Sequence, residues 1–154
     1  MSQDIRSYVV SEFESGIEGF VKDLGALTHE DLNRSFGSGS RCAYDFIYEV
    51  GVINRRVAFR LRSEDPGPMP WKFGEEWLQA PDDFKTKETA LEHMTSTAAE
   101  LVAAVGDDVS RGVTVGEKVT PAYQLVNFAT FHTGYHDAQL NFIQSLAGDM
   151  AVHW

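Results

Sequence analysis

The recurrence of hydrophobic residues at steps of three and four limits most strongly how this chain can fold. Four stretches show this period, at about residues 2–24, 43–61, 86–105 and 120–146, and no stretch keeps a sustained alternation of period two. A period near 3.6 is that of an amphipathic α-helix, whereas alternation is that of a half-buried strand. The sequence therefore predicts four long helices that bury their apolar faces against one another.

Helix-terminating and capping residues predict where these helices end. Gly25 and Gly106 follow the first and third apolar repeats, and glycine directly after a helix is a common terminator. The run "FGSGS" separates the second helix from the segment before it. Thr120 is the predicted N-cap of the last helix, with Pro121 at its first position, where the missing N–H needs no partner.

Three connecting segments also carry local signals. "THEDL" predicts a short helical turn capped by Thr28, and "RGVTVGEKV" is compatible with a small hairpin. The longest connection, about residues 62–84, contains four of the five prolines. Its aromatic residues Trp71, Phe73 and Trp77 favour a loop packed over the bundle, as a lid, a dimer contact or a cover.

These elements together predict an all-α fold, a four-helix bundle with a long crossover between helices two and three. A chain of 154 residues suits a single domain spanning 1–154. In such bundles, metal and ligand sites are built from side chains that point inward from facing helices. Polar residues on the apolar faces are therefore the first candidates for function.

The charge and composition exclude several classes of partner. The formal net charge is -10, so nucleic acid and anionic membrane surfaces should repel the protein at long range. The apolar runs are too short for a membrane span, and "MSQDIRSYVV" lacks the pattern of a signal peptide. A cytoplasmic location is expected. The single cysteine, Cys42, cannot form an internal disulfide and is interpreted as a small residue at a helix start.

Two histidines interrupt the apolar face of the last helix, within "FATFHTGYHDAQL". His132 and His136 are four residues apart, so both lie on the same side of an α-helix. Burying two imidazoles without partners costs about 1 to 3 kcal/mol each. The i, i+4 spacing brings two ring nitrogens within reach of one ion. The predicted apolar stripe consists of Leu125, Phe128, Ala129, His132, His136, Gln139, Leu140 and Ile143.

The histidine pair is also compatible with a site that holds no metal. Both residues could be core histidines, hydrogen-bonded to neighbouring helices. A zincin site needs glutamate directly after the first histidine, where this chain has Thr133, and the chain contains no Glu-x-x-His for a di-iron bundle. His29, His93 and His153 are expected to be solvated.

A third metal ligand would have to come from another helix. Asp45 and Glu49 lie one turn apart at the edge of the apolar face of the second long helix. Either carboxylate would complete a two-histidine, one-carboxylate set with open positions, suited to Zn, Ni, Mn or Fe(II). Both acids could instead be surface charges near Arg56. The spacing alone leaves these alternatives open.

Essentially the whole chain resembles the DinB-like, or DinB/YfiT, superfamily of four-helix metal-binding proteins. The resemblance is carried by the helix order, the long second crossover, "FKTKETALEHM" and "HTGYHDAQL", which is similar to the family's His-x-x-x-His followed by Gln and an aliphatic residue. On "RCAYDFIYEV" the family pattern places Cys42 at the capping position, Asp45 at the acidic position and Glu49 at the first ligand position, where relatives usually have histidine. The resemblance therefore implies Glu49, His132 and His136 as the metal ligands.

The same resemblance implies a function. It suggests a divalent-metal-binding protein, with zinc or nickel favoured over manganese or iron, that acts on a small molecule as a hydrolase or a thiol-dependent transferase. A low-molecular-weight thiol is then a candidate partner, and a homodimer is a common assembly of such bundles. The alternative is a non-catalytic bundle in which the metal is structural or senses a ligand.

Overall fold

Four long helices pack side by side around the core, which confirms the predicted all-α bundle. The computed structural model describes residues 2–72 and 74–153, without the side chains of residues 2 and 3. The helices are α1 (Ser2–Ala26), α2 (His29–Asn33), α3 (Ala43–Leu61), α4 (Lys87–Ala104) and α5 (Ala122–Leu146). The predicted short turn is α2, in which the Thr28 hydroxyl accepts a hydrogen bond from the backbone N–H of Asp31.

The core lies where the apolar faces of the long helices meet. Both α1 and α3 pack against α4 and α5, so α1 and α3 occupy opposite corners of the bundle. Ile5, predicted to open the buried face of α1, is exposed, and burial in this helix begins with Val9. In the described part of the chain, no helix is both long and apolar enough to cross a membrane. The predicted face of α3 is buried throughout: Ala43, Phe46, Ile47, Val50, Ile53, Val57 and Leu61.

A two-stranded hairpin precedes α5 and moves its start from the predicted position. Strands β1 (Gly112–Val115) and β2 (Lys118–Pro121) are antiparallel, which confirms the hairpin suggested by the sequence. Thr120 and Pro121 pair with β1, Pro121 takes the N-cap position, and α5 begins at Ala122. The prediction of Thr120 as N-cap is therefore wrong, because the hairpin continues through Thr120 and delays the start of the helix.

The long connection between α3 and α4 is packed on the bundle, as its aromatic residues indicate. Trp71, Leu78 and Phe84 are buried, and a single 3₁₀ turn spans Asp82–Phe84. Trp77 is 61% exposed, and Phe73 lies outside the described residues. Burial of these three side chains holds the connection against the bundle.

Two side chains of α3 fix this connection by hydrogen bonds to its backbone. Asp45 Oδ1 accepts from the N–H of Ala80 at 2.9 Å. The Arg56 guanidinium donates to the backbone carbonyl oxygens of residues 66, 67 and 68. Arg56 is therefore engaged with the connection. Asp45 and Glu49 are both buried, so the alternative that they are surface charges near Arg56 is wrong.

Candidate metal centre

Three polar side chains from α3 and α5 converge inside the bundle. Glu49 Oε1 lies 3.3 Å from His132 Nε2 and 3.6 Å from His136 Nε2. One ligand atom from each of the three residues lies within 4.8 Å of the other two. The two imidazoles sit one helical turn apart, with their ring centres separated by 4.7 Å. The predicted metal ligands are thus brought together within the span of a single ion.

Burial and hydrogen bonding set the protonation states of this group. Glu49 is 7% exposed and His136 is 1% exposed. Burial acts to raise the pKa of Glu49, but the neighbouring side chains of His132, His136 and Arg41 outweigh it and hold this pKa well below its usual range. Burial lowers the pKa of His136, against the opposing effects of Glu49 and Gln139. A carboxylate and a neutral imidazole are the forms that bind metals.

Neighbouring residues orient the His136 ring. Its Nδ1 lies 2.9 Å from Gln139 Oε1, an acceptor, so Nδ1 carries the proton in the neutral ring. Phe46 stacks on the ring at 5.4 Å between ring centres, with an angle of 8° between the planes. The lone pair of Nε2 is therefore directed at Glu49. Metal-binding histidines are commonly oriented by a hydrogen bond at their second nitrogen in this way.

The donor set fits a cation. The Nε2 atom of neutral His136 and the carboxylate of Glu49 are both hydrogen-bond acceptors, and nothing is gained when two acceptors face each other. A cation placed among these atoms would satisfy them together. His132 Nδ1 is buried and finds no partner among the described residues, so its ring is less constrained than that of His136.

Arg41 is part of this centre, although no sequence pattern points to it. Its Nη1 donates to Glu49 Oε2, on the side of the carboxylate away from the histidines. Its side chain is 12% exposed, although Arg41 lies in the segment before α3. Arg41 follows a Gly/Ser run typical of a solvated loop, so no local signal distinguishes it. The Arg41 guanidinium therefore fixes the orientation of the Glu49 carboxylate.

Asp45 does not join the centre, which resolves the choice between the two acids. Its carboxylate accepts hydrogen bonds from the N–H of Ala80 and, through Oδ2, from the N–H of Cys42 at 3.2 Å. Cys42 is buried at the start of α3, and burial raises the pKa of its thiol. Both residues therefore organise the start of α3, as the capping interpretation of this segment expects.

The buried face of α5 is rotated from the predicted stripe. Phe128 was predicted on the stripe but is 47% exposed, while Thr133 is fully buried. His136 is consequently central, and His132 lies at the edge with a side chain 14% exposed. The rotation arises because α5 packs against α1 as well as α3, and the sequence of α5 alone does not specify both partners.

The three other histidines lie away from the centre, but one of them is not solvated. His93 is buried in α4, with Nε2 3.2 Å from the carbonyl oxygen of Tyr48, so the prediction of a solvated His93 is wrong. Its burial depends on Gly51 of α3, which leaves room for the ring. His29 is exposed, with Nδ1 2.9 Å from Tyr44 Oη. His153 is partly exposed and lies beside Asp149.

Two cavities adjoin the centre on the side of Arg41. The larger, of about 880 Å³, lies beneath the long connection and is lined by Trp71, Leu78 and Lys85 among others. The smaller, of about 300 Å³, includes Phe46 and Gln139, the two residues that hold the His136 ring. We call this smaller space the aromatic cavity; its lining residues are Phe36, Gly39, Ser40, Arg41, Phe46, Trp77, Tyr135, Gln139, Phe142 and Ile143.

The whole structure is similar to a solved one. The crystal structure of a DinB-like protein from Bacillus cereus ATCC 10987 matches with a TM-score of 0.65 over 91% of each chain. The chain has a DinB-like fold. Sequence identity to that protein is 14%, so the similarity shows the fold alone. No family model and no curated protein sequence matches the chain.

The DinB-like fold accounts for where the centre lies. Helices α3 and α5 are neighbours in the bundle, so residues on their facing sides meet although they are more than 80 positions apart in the sequence. The fold brings Glu49 to the histidine pair without any contribution from the long connection. The centre consequently rests on the most regular part of the molecule.

Proposed function

We propose that this protein binds one divalent metal ion through Glu49, His132 and His136 and acts as a metal-dependent enzyme on a small molecule. Two imidazoles and a carboxylate suit zinc or nickel first, with manganese or iron as alternatives. The proposed reaction is a hydrolysis or a transfer involving a low-molecular-weight thiol. A bound divalent ion with an open position would supply this chemistry by lowering the pKa of a water or thiol bound to it.

The convergence of three ligand atoms within 4.8 Å supports this proposal. Glu49 and His136 would hold the ion in the deprotonated forms that their surroundings favour. Gln139 would keep the proton of His136 on Nδ1, and Arg41 would hold the second oxygen of Glu49. Three protein ligands leave at least one coordination position for another molecule, which is the usual arrangement of a catalytic zinc site.

The adjoining cavities support an enzyme acting on a small molecule. Ligand sites are concave, mostly apolar and typically about 300–1,000 Å³ in volume, with a few polar groups that orient the ligand. The aromatic cavity has this character, and Gln139 and Arg41 connect it to the centre. A substrate in this cavity would lie within one side chain of the proposed ion.

A second candidate function is a non-catalytic bundle whose metal is structural or senses a ligand. One observation favours it: the lining residues of the two cavities do not include Glu49, His132 or His136. A metal that only holds the helices would be closed off in this way. Thermal unfolding tests the structural role, which predicts that His132→Ala loses the metal and melts at a lower temperature than metal-loaded wild type; loss of the metal with an unchanged melting temperature would exclude it.

Zinc titration of chelator-treated protein tests the proposed centre. We expect one ion per chain for the wild type, and at least about 100-fold weaker binding for His136→Ala and Glu49→Gln, because each variant removes a ligand. His153→Ala is the matched control, since this histidine lies beside Asp149 outside the centre. Equal zinc affinity in the wild type and both ligand variants would exclude this site.

We further propose that the protein forms a homodimer through one face of α5. Large hydrophobic side chains are exposed along this face at steps of three, four and seven residues: Phe128, Phe131, Tyr135, Phe142 and Leu146. Contiguous exposed apolar surface of this kind commonly marks an interaction site. A second copy would offer the identical face, which is what a two-fold symmetric contact requires. Tyr135 and Phe142 also line the aromatic cavity, so the partner would border it.

A further inference from the structure

Arg41 lies at the junction of the metal centre and both cavities. Its guanidinium carbon is 4.6 Å from the centre of the Trp77 ring and 5.8 Å from that of Phe46. Both cavities share Arg41, Trp77, Gly39 and Ser40 in their walls. A small molecule in either cavity can therefore contact the guanidinium.

The hydrogen-bonding capacity of Arg41 is largely unused. A guanidinium has five N–H donors in a planar fork, and among the described residues its hydrogen-bond partner is Glu49, through Nη1. The neighbouring Trp77 and Phe46 rings accept no strong hydrogen bond. The remaining N–H donors of the guanidinium are therefore available to a ligand. A planar anion such as a carboxylate matches this geometry with two parallel hydrogen bonds.

The charge of the centre also favours an anionic ligand. This step rests on the proposed metal ion. A divalent ion and Arg41 together carry more positive charge than Glu49 neutralises. Asp45, one turn before Glu49 on α3, already accepts hydrogen bonds from the backbone at both oxygens. Uncompensated charge in a largely buried site is costly. A ligand with a negative group would remove this excess.

We propose that Arg41 binds the carboxylate of the substrate, whose apolar or aromatic part lies in the aromatic cavity. The substrate class is then a small carboxylate with a hydrophobic body, of a size that fits about 300 Å³. Phe36, Tyr135, Phe142 and Ile143 supply apolar walls for that body. Arg41 thereby selects charged over neutral ligands at the entrance to the metal centre.

Binding of phenylacetate and of its neutral analogue phenylacetamide to zinc-loaded protein tests this proposal by calorimetry. We expect the wild type to bind phenylacetate more tightly than phenylacetamide. Arg41→Met should weaken phenylacetate binding at least about tenfold, because it removes charge-assisted hydrogen bonds. It should change phenylacetamide binding little. Arg41→Lys, which keeps the charge but loses the fork, should fall between the two.

Arg34→Met provides the matched control, since Arg34 pairs with Glu30 on the surface and lines neither cavity. It removes the same charge from the protein and should leave phenylacetate binding unchanged. Zinc content and circular dichroism of every variant are measured first, so that loss of metal or of fold is detected separately. The proposal fails if Arg41→Met and wild type bind phenylacetate equally, or if the wild type does not bind it.

The two proposals can fail independently. If the protein takes up zinc but binds phenylacetate equally well with and without Arg41, the proposed metal centre stands and the proposed role of Arg41 is wrong. If the protein takes up no zinc, the proposed metal centre is wrong. Titration of the metal-free protein with phenylacetate then tests the proposed role of Arg41. Phenylacetate binding that is lost in Arg41→Met would support its role in that case, and no binding would exclude it.

Discussion

Gln139 orients the His136 ring and thereby affects how strongly this ring would bind the proposed ion. Its side-chain oxygen lies 2.9 Å from His136 Nδ1 and fixes the proton there. We expect Gln139→Ala to weaken zinc binding about 10-fold, because loss of such a partner frees the ring and reduces the basicity of Nε2. Titration with a competing chelator measures this change.

The matched control for this prediction is Gln124→Ala, an exposed glutamine on the same helix. Gln139→Glu should restore most of the affinity, because a carboxylate also accepts from Nδ1. Wild-type affinity in Gln139→Ala would mean that the His136 ring is held by packing against Phe46 alone.

Asp137 forms a second polar site, on the opposite side of α5 from the metal centre. Burial, the charge of Asp23 and a hydrogen bond with Asp23 raise the pKa of Asp137 to about 7. Asn141 Nδ2 donates to Asp23 Oδ2 at 2.7 Å. The folded protein therefore keeps a proton on Asp137 at pH values where the unfolded chain has released it.

This retained proton makes stability dependent on pH. Between about pH 4 and pH 7 unfolding releases the proton, so the free energy of unfolding falls as the pH rises through this window. Asp137→Asn replaces the shared proton by an N–H and should remove this fall. Denaturation at pH 8 should show the variant about 1 to 3 kcal/mol more stable than the wild type. Asp107→Asn, at an exposed position, should show no such gain.

At the level of helices, contact between α3 and α4 depends on Gly51. A Cβ atom at this position would lie 1.9 Å from His93 Nε2. We expect Gly51→Ala to lower the free energy of unfolding by about 1 to 3 kcal/mol, since overpacking outweighs the better helix propensity of alanine. Denaturant unfolding measures this loss.

Two further variants separate the steric effect from helix propensity. Gly16→Ala in α1 meets open space, so it should stabilise the protein by about 0.5 to 1 kcal/mol. In a His93→Ala background the ring is gone, and Gly51→Ala should no longer destabilise. A similar loss in both backgrounds would contradict the account of this contact.

The boundaries of the helices were predictable where the signals are local. Helix α3 begins at Ala43 and ends at Leu61, as its apolar repeat predicts, because both ends follow from neighbouring residues. The start of α5 was not predictable in this way, because Thr120 forms part of β2, and β2 pairs with residues outside the helix. The burial of His93 likewise depends on Gly51, which is more than 40 positions away.

The composition of the candidate centre was only partly predictable for the same reason. Spacing selects His132 and His136, because both lie on one helix. Periodicity leaves Asp45 and Glu49 open, and only the packing of α3 against α5 separates them. Arg41 carries no signal in the sequence, since its role depends on where a loop side chain is directed.

At the scale of the whole molecule, the exposed face of α5 predicts association. Phe131 is 69% exposed on this face. We expect light scattering after gel filtration to give twice the chain mass for the wild type, and Phe131→Glu to give the monomer mass, because a charge in an apolar interface is costly. Val119→Glu, an exposed apolar position on β2, should leave the dimer intact. A monomeric wild type would exclude this assembly.

A crystal structure of zinc-loaded protein, with anomalous scattering recorded at the zinc edge, tests the central claim most directly. We expect a single strong peak about 2.0 to 2.2 Å from a Glu49 oxygen and from the Nε2 atoms of His132 and His136. A map without a peak among these three residues, while zinc is bound elsewhere in the same crystal, would contradict the account.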